Sequence, residues 1–333
     1  MFNTYKVSGT RYEMGYKLGE LFNSPINTNI NRFIDMLKNE DIKNKLEKAI
    51  ALIKEKMPEC LDELYGKADG AKVDRDALVL MHYPEIYTEP YSCTTAIYKK
   101  NDRVLFSHNE DDVGFDNDNV AIVKYEYQDH FVVTLTLYNR LAGSCFGYNS
   151  YGLVFSCNYL FHNDENLDNL SRYIVSRKLI EAKTIKECLD IIDNNKPAQP
   201  FSFNVLDINS NEVINVENDI EDKYITQIDG KYSRSNHFLN KENPKMSENS
   251  KYRYLHSKEG IMKAGEDANL EDVIKVLKYE DKEYVKSVLM DPLKYPDINN
   301  SVTMANFAFD SKTKEIIITD YFDHSTLKLD YNF

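Results

Sequence analysis

The sequence lacks long hydrophobic runs, clustered basic residues and tryptophan. The longest apolar runs, such as "DALVLMHY", are far shorter than the roughly 20 residues that span a bilayer. Acidic residues outnumber Lys and Arg by 54 to 41, and the net charge is −13. This balance argues against nucleic acid and anionic membranes as partners, because phosphate binding needs clustered cations. The N-terminal segment "MFNTYKVSGTRYEMGYKLG" is too polar for a signal peptide.

Cysteine is scarce and follows no recognisable spacing. The five cysteines are scattered, odd in number and without a CxxC pair. They are Cys60, Cys93, Cys145, Cys157 and Cys188. This pattern argues against a disulfide framework and a structural zinc, and it favours a reducing cytoplasm. We therefore expect a cytoplasmic protein without metal or cofactor, and the Asn-, Lys- and Ile-rich composition favours an AT-rich bacterial genome.

The remaining composition is that of a globular protein with an ample core. The chain has 333 residues, of which 42% are hydrophobic and 29% are charged, so it can form one large domain or two ordinary ones. The first ninety residues are predicted to be mainly helical. Runs of strands and runs of helices then alternate to the C-terminus, which predicts an α+β protein and not a series of βαβ units.

Local signals place several elements along the chain. Asp41 is predicted to cap a helix over "DIKNKLEKAIALIKEKM", and Pro58 to open a helix that ends at Gly70. Thr184 and Glu187 form a predicted capping box. Further helices are predicted near 269–279 and 281–290, and a loop over 240–251. Strands are predicted for the β-branched and aromatic runs, which are "CTTAIYKK", "RVLFSH", "VAIVKYEY", "FVVTLTLY", "YGLVFSCNYL", "FSFNVLDI", "EVINVEN", "DKYITQID" and the hairpin "SVTMANFAFDSKTKEIIITDYF".

Cys93 stands where the helical region gives way to strands, just after Ser92. We expect it to begin a strand, where a side chain can be exposed in a way that mid-strand residues are not. A turn around "KKND" would bring the polar cluster "SHNEDD" back beside it, because antiparallel neighbours lie only about 5 Å apart. Residue type alone leaves a second interpretation open, in which Cys93 is a small buried hydrophobe.

The stretch "SCTTAIYKKNDRVLFSHNEDD" resembles the cleavage-site region of the penicillin acyltransferase family. Members of that family are N-terminal-nucleophile hydrolases, related to choloylglycine hydrolases. Four further motifs resemble the family in the same order, over most of residues 8–255: "SGTRYEMGYKLGELF", "MPECLDELYGKADGAKVDRDAL", "GYNSYGLVFSCNYL" and "SRSNHFLN". The resemblance implies a four-layer αββα sandwich of antiparallel sheets. It further implies that residues 1–92 are a helical pro-segment and residues 93–333 the catalytic region, together one globular unit.

The resemblance also implies a mechanism and a set of catalytic residues. The chain would cut itself between Ser92 and Cys93, so that the Cys93 thiol becomes the nucleophile and its freed α-amine the base. Such an amine has a pKa near 8, so a useful fraction is unprotonated at neutral pH. Asp111 corresponds to the acid that holds the amine, Asn236 to the amide that donates to the oxyanion, and Asn158 to a second asparagine near it.

Five further positions have supporting or uncertain roles. Thr94 follows the nucleophile, and Asn109 would position the catalytic acid. His108 stands where choloylglycine hydrolases have an arginine, although a strand-face histidine is the plainer interpretation. Glu110 stands where relatives often carry an apolar residue. His237 adjoins Asn236, and since neighbours on a strand face opposite ways, it is predicted to point away from the site.

Two departures from the family pattern limit the substrate prediction. Ser92 replaces the glycine that is common before the nucleophile. No arginine follows Arg253, so the late substrate-binding arginine of relatives is absent, which argues against penicillin-like or bile-acid-like carboxylate recognition. The predicted substrate is a small N-acyl compound, acylated amino acid or peptide, and either hydrolysis or acyl transfer remains open.

Three other interpretations remain at this point. Cys93 could act with His237 or His108 as a papain-like hydrolase without self-cleavage, or the fold could serve a non-enzymatic binding protein. The oxygen-rich "HNEDDVGFDNDN" could hold a metal, but its spacing fits no calcium loop and a solvated acidic loop is preferred. Whether the chain forms a homo-oligomer is left open.

Overall fold

The computed structural model describes residues 1–87, 92–113, 117–162, 165–242, 246–295 and 301–331. The helices are α1 Arg11–Leu21, α2 Asn23–Met36, α3 Glu40–Lys56, α4 Pro58–Ala71, α5 Arg75–Met81, α6 Arg172–Leu179, α7 Ile185–Asn194, α8 Glu248–Lys263 and α9 Leu270–Leu277. The strands are β1 Thr4–Ser8, β2 Ser92–Lys100, β3 Arg103–Val113, β4 Val120–Glu126, β5 Phe131–Leu137, β6 Phe146–Asn149, β7 Leu153–Tyr159, β8 Phe201–Asp207, β9 Glu212–Asn218, β10 Lys223–Gln227, β11 Lys231–Arg234, β12 Ser301–Asp310, β13 Ile316–Asp320 and β14 Ser325–Leu329.

The strands form two sheets. The first sheet has eight strands in the order β1-β4-β5-β6-β7-β8-β9-β10, and the second has six in the order β11-β2-β3-β12-β13-β14. Neighbouring strands are antiparallel except for the pair β1 and β4, which is parallel. The predicted strand runs and the C-terminal hairpin are confirmed, whereas β1, β6, β11 and β14 were not predicted.

Three apolar layers hold the sheets and helices together. Leu64 of α4 and Phe203 of β8 belong to the layer between the first seven helices and the first sheet. Phe106 of β3 packs between the two sheets, and Val273 of α9 packs between the second sheet and the last two helices. Burial of such a side chain contributes about 1.5–3 kcal/mol. The order of layers is αββα, and the predicted α+β sandwich is confirmed.

Residues upstream of Cys93 are part of this architecture. Strand β1 pairs with β4, Thr4 lying opposite Ile122. Helices α1 and α4 approach so closely that a Cβ added at Gly15 would lie 2.0 Å from the carbonyl oxygen of Glu63. A Cβ at Gly70 would lie 2.0 Å from the carbonyl oxygen of Tyr16, so glycine is required at this crossing. The mainly helical N-terminal region is confirmed, with the addition of one strand.

Helix boundaries follow local chemistry, with some corrections. Helix α4 begins at Pro58 as predicted. The N-cap of α3 is Asn39 and not Asp41, because the Asn39 side chain accepts the Asp41 N–H. Thr184 caps α7 as predicted, but the Glu187 carboxylate accepts from the N–H of Lys183, one residue before the expected partner in a capping box.

The largest errors fall in the last hundred residues. Helix α8 was not predicted, and the predicted loop over 240–251 overlaps its first turn; residues 243–245 lie outside the described residues. The helix expected over 281–290 is a single 3₁₀ turn, Tyr284–Lys286.

The segment "HNEDD", residues 108–112, is not a solvated loop. It lies on β3, and its five residues are buried. Within the described ranges, no helix is long and apolar enough to span a bilayer.

Candidate active site

The β2–β3 hairpin carries most of the predicted site residues. Cys93 lies opposite Glu110 and Ser92 opposite Asp111. Because side chains alternate along a strand, the hairpin has two polar faces. The inner face points to the first sheet and carries Cys93, Thr95, His108 and Glu110. The outer face points to α8 and α9 and carries Thr94, Asn109 and Asp111.

Cys93 is held by Asn236 through two different atoms. The backbone N–H of Cys93 donates to Asn236 Oδ1 at 2.9 Å, and Asn236 Nδ2 lies 3.3 Å from Cys93 Sγ. The same Nδ2 donates to the carbonyl oxygen of Tyr159 at 2.9 Å. Cys93 Sγ lies 3.4 Å from the carbonyl oxygen of Cys157. One asparagine therefore contacts both the main-chain nitrogen and the thiol of the predicted nucleophile.

The Cys93 side chain is only 3% exposed, so the exposure expected at the start of a strand is absent. Burial raises the pKa of the thiol well above its ordinary value, and the neighbouring Glu110 carboxylate raises it further. The hydrogen bond from Asn236 acts in the opposite direction but is the smaller effect. In this arrangement the thiol is protonated at neutral pH.

Arg253 of α8 is the residue that the sequence reasoning missed. Its Nη1 donates to the carbonyl oxygen of Cys93 at 2.7 Å and to Thr94 Oγ1 at 2.8 Å, while Nη2 donates to Asn236 Oδ1 at 2.7 Å. Nη1 also lies 3.7 Å from Asp111 Oδ2. Although no arginine follows Arg253 in the chain, this one is buried at the site and connects four of its residues.

Asp111 lies on the outer face, next to Arg253. Thr303 Oγ1 donates to Asp111 Oδ1 at 2.6 Å, and Asp111 Oδ2 accepts no hydrogen bond from the described residues. Burial raises the pKa of this carboxyl to about 7, and the charge of Arg253 and the bond from Thr303 offset only part of the shift. Asp111 is thus linked to Cys93 through the guanidinium of Arg253.

Asn109 was expected to position Asp111, but its side chain bonds to other residues. Its Nδ2 donates to the carbonyl oxygen of Leu277, at the end of α9, at 2.9 Å. Its Oδ1 accepts from Asn306 Nδ2 at 2.8 Å. These bonds tie β3 to α9 and β12, and the positioning of the acid falls to Thr303 and Arg253. Ser92, at the predicted cleavage site, lies with its Oγ 3.1 Å from Ser301 Oγ.

Asn158 lies on β7, facing the inner side of the hairpin. Its Oδ1 accepts from Thr95 Oγ1 at 2.9 Å and from Asn204 Nδ2 at 2.9 Å. Its Nδ2 is buried and has no partner among the described residues. A buried amide N–H without a partner is rare in proteins and costs roughly 1–3 kcal/mol. Asn158 thus holds an unused hydrogen-bond donor within the same polar network as Cys93.

The two histidines near the site differ in position. His108 Nδ1 lies 2.9 Å from Thr95 Oγ1, and its Nε2 lies 3.2 Å from Glu110 Oε2. His237 instead has its Nδ1 2.9 Å from Ser250 Oγ, with its ring against Tyr254. His237 therefore bonds to α8. Asn236 and His237 lie beyond the end of β11 at Arg234, so strand alternation does not explain their orientation.

A small cavity of about 20 Å³ adjoins the Cys93 thiol. Its lining residues are Cys93, Glu110, Arg140, Ser144, Cys157, Tyr159, Arg172, Tyr173 and Phe201. Arg140 forms ion pairs with Asp112 and Glu110. Arg172 pairs with Glu85 and donates to Gln199. Both arginines of the cavity wall are therefore charge-compensated by the protein itself.

Comparison with known proteins gives distant but consistent similarities. A curated relative is the β-alanyl-dopamine/carcinine hydrolase of Drosophila melanogaster, 24% identical over 216 residues. The match covers 55% of this chain and 55% of that protein, so the chain spans about half the length of the relative.

Solved structures of two enzymes are also similar. One is penicillin V acylase from Agrobacterium tumefaciens, with 13% identity and a TM-score of 0.45 over 72% of this chain and 86% of that chain. The other is a mutant of the conjugated bile acid hydrolase from Clostridium perfringens, with 12% identity and a TM-score of 0.48 over 72% and 92%. With TM-scores below 0.5 these similarities are distant, and the αββα assignment rests on the layers of the chain itself.

The family resemblance of the sequence motifs is confirmed by a match between this chain and the sequence pattern shared by one protein family. The match covers residues 98–320 and so begins just after Cys93. Since it extends over more than half of the chain, the protein belongs to the acyl-coenzyme A:6-aminopenicillanic acid acyl-transferase family.

Proposed function

We propose that this chain is a self-processing cysteine N-terminal-nucleophile amidohydrolase or acyltransferase, which acts on a small N-acyl compound or peptide through an acyl-enzyme on Cys93. The observation that carries the proposal is that the Asn236 side chain contacts both the backbone nitrogen and Sγ of Cys93. In this class of enzyme both atoms react, because the nitrogen becomes the α-amine base and the sulfur is the nucleophile. Membership of an acyl-transferase family supports the same chemistry.

Self-processing would begin with attack of the Cys93 thiol on the carbonyl carbon of Ser92. The Ser92–Cys93 C–N bond breaks, a thioester forms and the nitrogen takes the thiol proton. Water then hydrolyses the thioester, which leaves a Ser92 carboxylate, a free thiol and a free α-amine. Arg253 on the Cys93 carbonyl and Asn236 on its nitrogen would hold the main chain still during these steps. The products would be residues 1–92 and 93–333.

Cleavage would supply the base that the intact site lacks. Burial raises the pKa of the Cys93 thiol, whereas a free α-amine has a pKa near 8 and can accept the thiol proton at neutral pH. The intact chain would therefore be an inactive zymogen. Asp111 would hold the α-amine of Cys93, and Arg253 would hold the carbonyl group of the same residue.

Acyl transfer would proceed through a tetrahedral intermediate at the substrate carbonyl. The thiolate attacks the carbonyl carbon, and the developing oxyanion needs preorganised donors. We assign this role to Asn236 Nδ2 and to Asn158 Nδ2, which has no partner among the described residues. One such donor contributes about 10²–10³-fold to turnover. Collapse of the intermediate releases the amine, and water or a second amine then takes the acyl group from Cys93.

The charges of the cavity bear on the substrate. Arg140 and Arg172 are both paired with carboxylates, which supports neutral or cationic substrates over carboxylates. The Drosophila relative is named for β-alanyl-dopamine and carcinine, so β-alanyl amides are the first compounds to test. All five cysteines are free thiols, which supports the prediction of a reducing, cytoplasmic location.

Intact mass spectrometry of the purified protein tests the proposal. The wild type should give two fragments with a new N-terminus at Cys93, while Cys93→Ala should stay as one chain of 333 residues. Cys157→Ala is the matched control, because its carbonyl faces Cys93 Sγ but its own thiol has no assigned role. It should be cut like the wild type.

Other outcomes separate the alternatives. An uncut wild type that still hydrolyses amides would replace the proposal by a papain-like pair of Cys93 and His108, whose reactive atoms lie within 4.8 Å of each other. An uncut and inactive wild type, without labelling of Cys93 by a thiol-directed acylating probe, would indicate a binding protein.

A further inference from the structure

The inner face of the hairpin brings three metal-ligating side chains together beside the nucleophile. Cys93 Sγ, a ring nitrogen of His108 and a carboxylate oxygen of Glu110 all lie within 4.8 Å of one another. The three side chains are at most 3% exposed. Thiolate, imidazole and carboxylate are the donors that Zn²⁺ takes in proteins. Whether these atoms can accept a cation depends on where the protons of the cluster lie.

The direction of hydrogen bonding in the surrounding network is fixed by Arg234, because a guanidinium has donors only. Arg234 Nη1 donates to Asn215 Oδ1 at 2.9 Å, so Asn215 Nδ2 is the atom that donates to Asn204 Oδ1 at 2.8 Å. Asn204 Nδ2 in turn donates to Asn158 Oδ1 at 2.9 Å. The Oδ1 atom of Asn158 is therefore an acceptor, and it faces Thr95.

This direction determines the tautomer of His108. Thr95 Oγ1 lies 2.9 Å from Asn158 Oδ1, so its single hydroxyl proton is donated there. The 2.9 Å contact between Thr95 Oγ1 and His108 Nδ1 then needs the proton on Nδ1. With Nδ1 occupied by this proton, Nε2 is the ring atom that can bind a metal, and it lies 3.2 Å from Glu110 Oε2. Two acceptors at this distance need either a proton or a metal ion between them.

The spacing of the His108 and Glu110 atoms suits zinc. Around a tetrahedral Zn²⁺, neighbouring nitrogen and oxygen ligands lie about 3.3 Å apart, given metal–ligand distances of roughly 2.0–2.2 Å. Glu110 Oε1 is engaged by Arg140 at 3.4 Å, which leaves Oε2 for the metal. The bond from His108 Nδ1–H to Thr95 is the outer contact that zinc-bound histidines commonly make. A thiolate and a carboxylate together balance the 2+ charge.

We propose that Cys93, His108 and Glu110 form a zinc-binding site that reversibly blocks the nucleophile. Zinc binding displaces the thiol proton and ties up the Cys93 sulfur, so the metal is an inhibitor and not a cofactor. The fourth position is open to water or to a substrate atom. Binding of zinc is independent of the function proposed above, and only its inhibitory consequence rests on that function.

Zinc binding is measured on tag-free wild-type protein by competition with a chromophoric chelator. We expect one Zn²⁺ per chain, and at least tenfold weaker binding in Cys93→Ser, His108→Asn and Glu110→Gln. Cys188→Ala and His324→Asn are matched controls, because both residues are remote from the cluster, and they should bind like the wild type. Mg²⁺ should not compete, since it disfavours thiolate ligands.

Co²⁺ gives a spectroscopic readout that does not depend on activity. Wild type and Cys188→Ala should show the near-ultraviolet charge-transfer absorption of a cobalt thiolate, and Cys93→Ser should not. Thr95→Val keeps all three ligands but removes the acceptor for His108 Nδ1–H, so zinc should bind about tenfold more weakly. Thermal unfolding of each variant verifies that it is folded.

The proposal is overturned if the wild type binds zinc no more tightly than the three ligand variants, or if the cobalt band is absent. Either result would mean that a proton alone occupies the space between His108 and Glu110. If zinc binds as expected but amide hydrolysis is absent or insensitive to zinc, the metal site stands and the function proposed for Cys93 fails.

Discussion

Two polar networks of this protein differ in how completely their buried atoms are paired. The helical-layer network consists of Arg11, Glu63, Arg177 and Glu181. Arg177 Nε lies 3.0 Å and 3.3 Å from the two carboxylate oxygens of Glu63, and its Nη1 lies 2.7 Å from Glu181 Oε1. Arg11 also contacts Glu63 Oε2 and takes the other oxygen of Glu181, Oε2. No buried side-chain nitrogen or oxygen of these four residues is left without a partner in the described structure.

The network around Cys93 is incompletely paired. Asn158 Nδ2 and Asp111 Oδ2 are buried without hydrogen-bond partners among the described residues, and His108 Nε2 faces a carboxylate oxygen. Buried polar atoms normally find partners because leaving them unpaired is costly. The comparison teaches that a completely paired network has a structural role. Unpaired buried atoms that lie close together instead indicate a site where a substrate, a developing charge or a cation binds.

The largest effect is expected from Glu63→Gln in the helical-layer network. Removing this charge leaves Arg11 and Arg177 incompletely compensated in a buried position, which costs roughly 3–5 kcal/mol. The free energy of unfolding, measured in urea, should fall by this amount. Turnover per folded molecule should stay unchanged, because Glu63 lies outside the Cys93 network. A loss of turnover in folded protein would show that the two networks are not separate.

Asn158→Ala should show the opposite behaviour. Loss of the unpaired donor should lower kcat about 10²–10³-fold, with a smaller change in the free energy of unfolding. Asn204→Ala is the matched control, since the Nδ2 of Asn204 is already used by Asn158 and Ser156. It should destabilise the protein more than it slows turnover. Equal kinetic losses in the two variants would remove Asn158 from the oxyanion site.

Lys67 lies between the two networks, and its effect on stability is spread over a range of pH, so that the change at each pH step is small. It is buried, 3.0 Å from His82 Nε2, and donates to the carbonyl oxygen of Arg140. Burial lowers its pKa to about 7, and the charge of Glu63 offsets part of the shift. Between pH 7 and about 10 the unfolded chain holds this proton and the folded chain does not. Stability should therefore rise with pH across this window, by at most about 1.4 kcal/mol per pH unit.

Lys67→Met removes the titrating group but keeps a side chain of similar length. The free energy of unfolding of this variant should depend less on pH between 7 and 10 than that of the wild type. Lys186→Met is the control, because Lys186 is exposed on α7 and should leave the wild-type slope intact. A wild-type slope retained in Lys67→Met would assign the pH dependence to other groups.

Apolar patterning predicted the α+β class and the β2–β3 hairpin, whereas the order of the four layers came from the family resemblance. The runs "CTTAIYKK" and "RVLFSH" became β2 and β3, and the register that pairs Cys93 with Glu110 follows from a short turn. Asn236 could be placed near Cys93 only through the family resemblance. Nothing in the spacing of residues 143 positions apart predicts that they touch.

Helix α8 and Arg253 were missed for one physical reason. The buried residues of α8 are Ser250, Arg253, Ser257 and Ile261, so three of its four inward positions are polar. A search for apolar residues at helical spacing does not detect such a face. The helix is buried on its polar side because that side holds the backbone of Cys93, and local patterning fails at the functional site.

Strand β1 has a consequence for what happens if the chain is cut at Ser92. The first strand of the upstream piece covers the outer edge of β4 in the eight-stranded sheet. Loss of that piece would leave the N–H and C=O groups of β4 open to other chains, which is how sheets begin to aggregate. If the chain is cut there, the upstream fragment would have to remain paired with β4 to keep this sheet edge covered, and its dissociation would favour aggregation of the remainder.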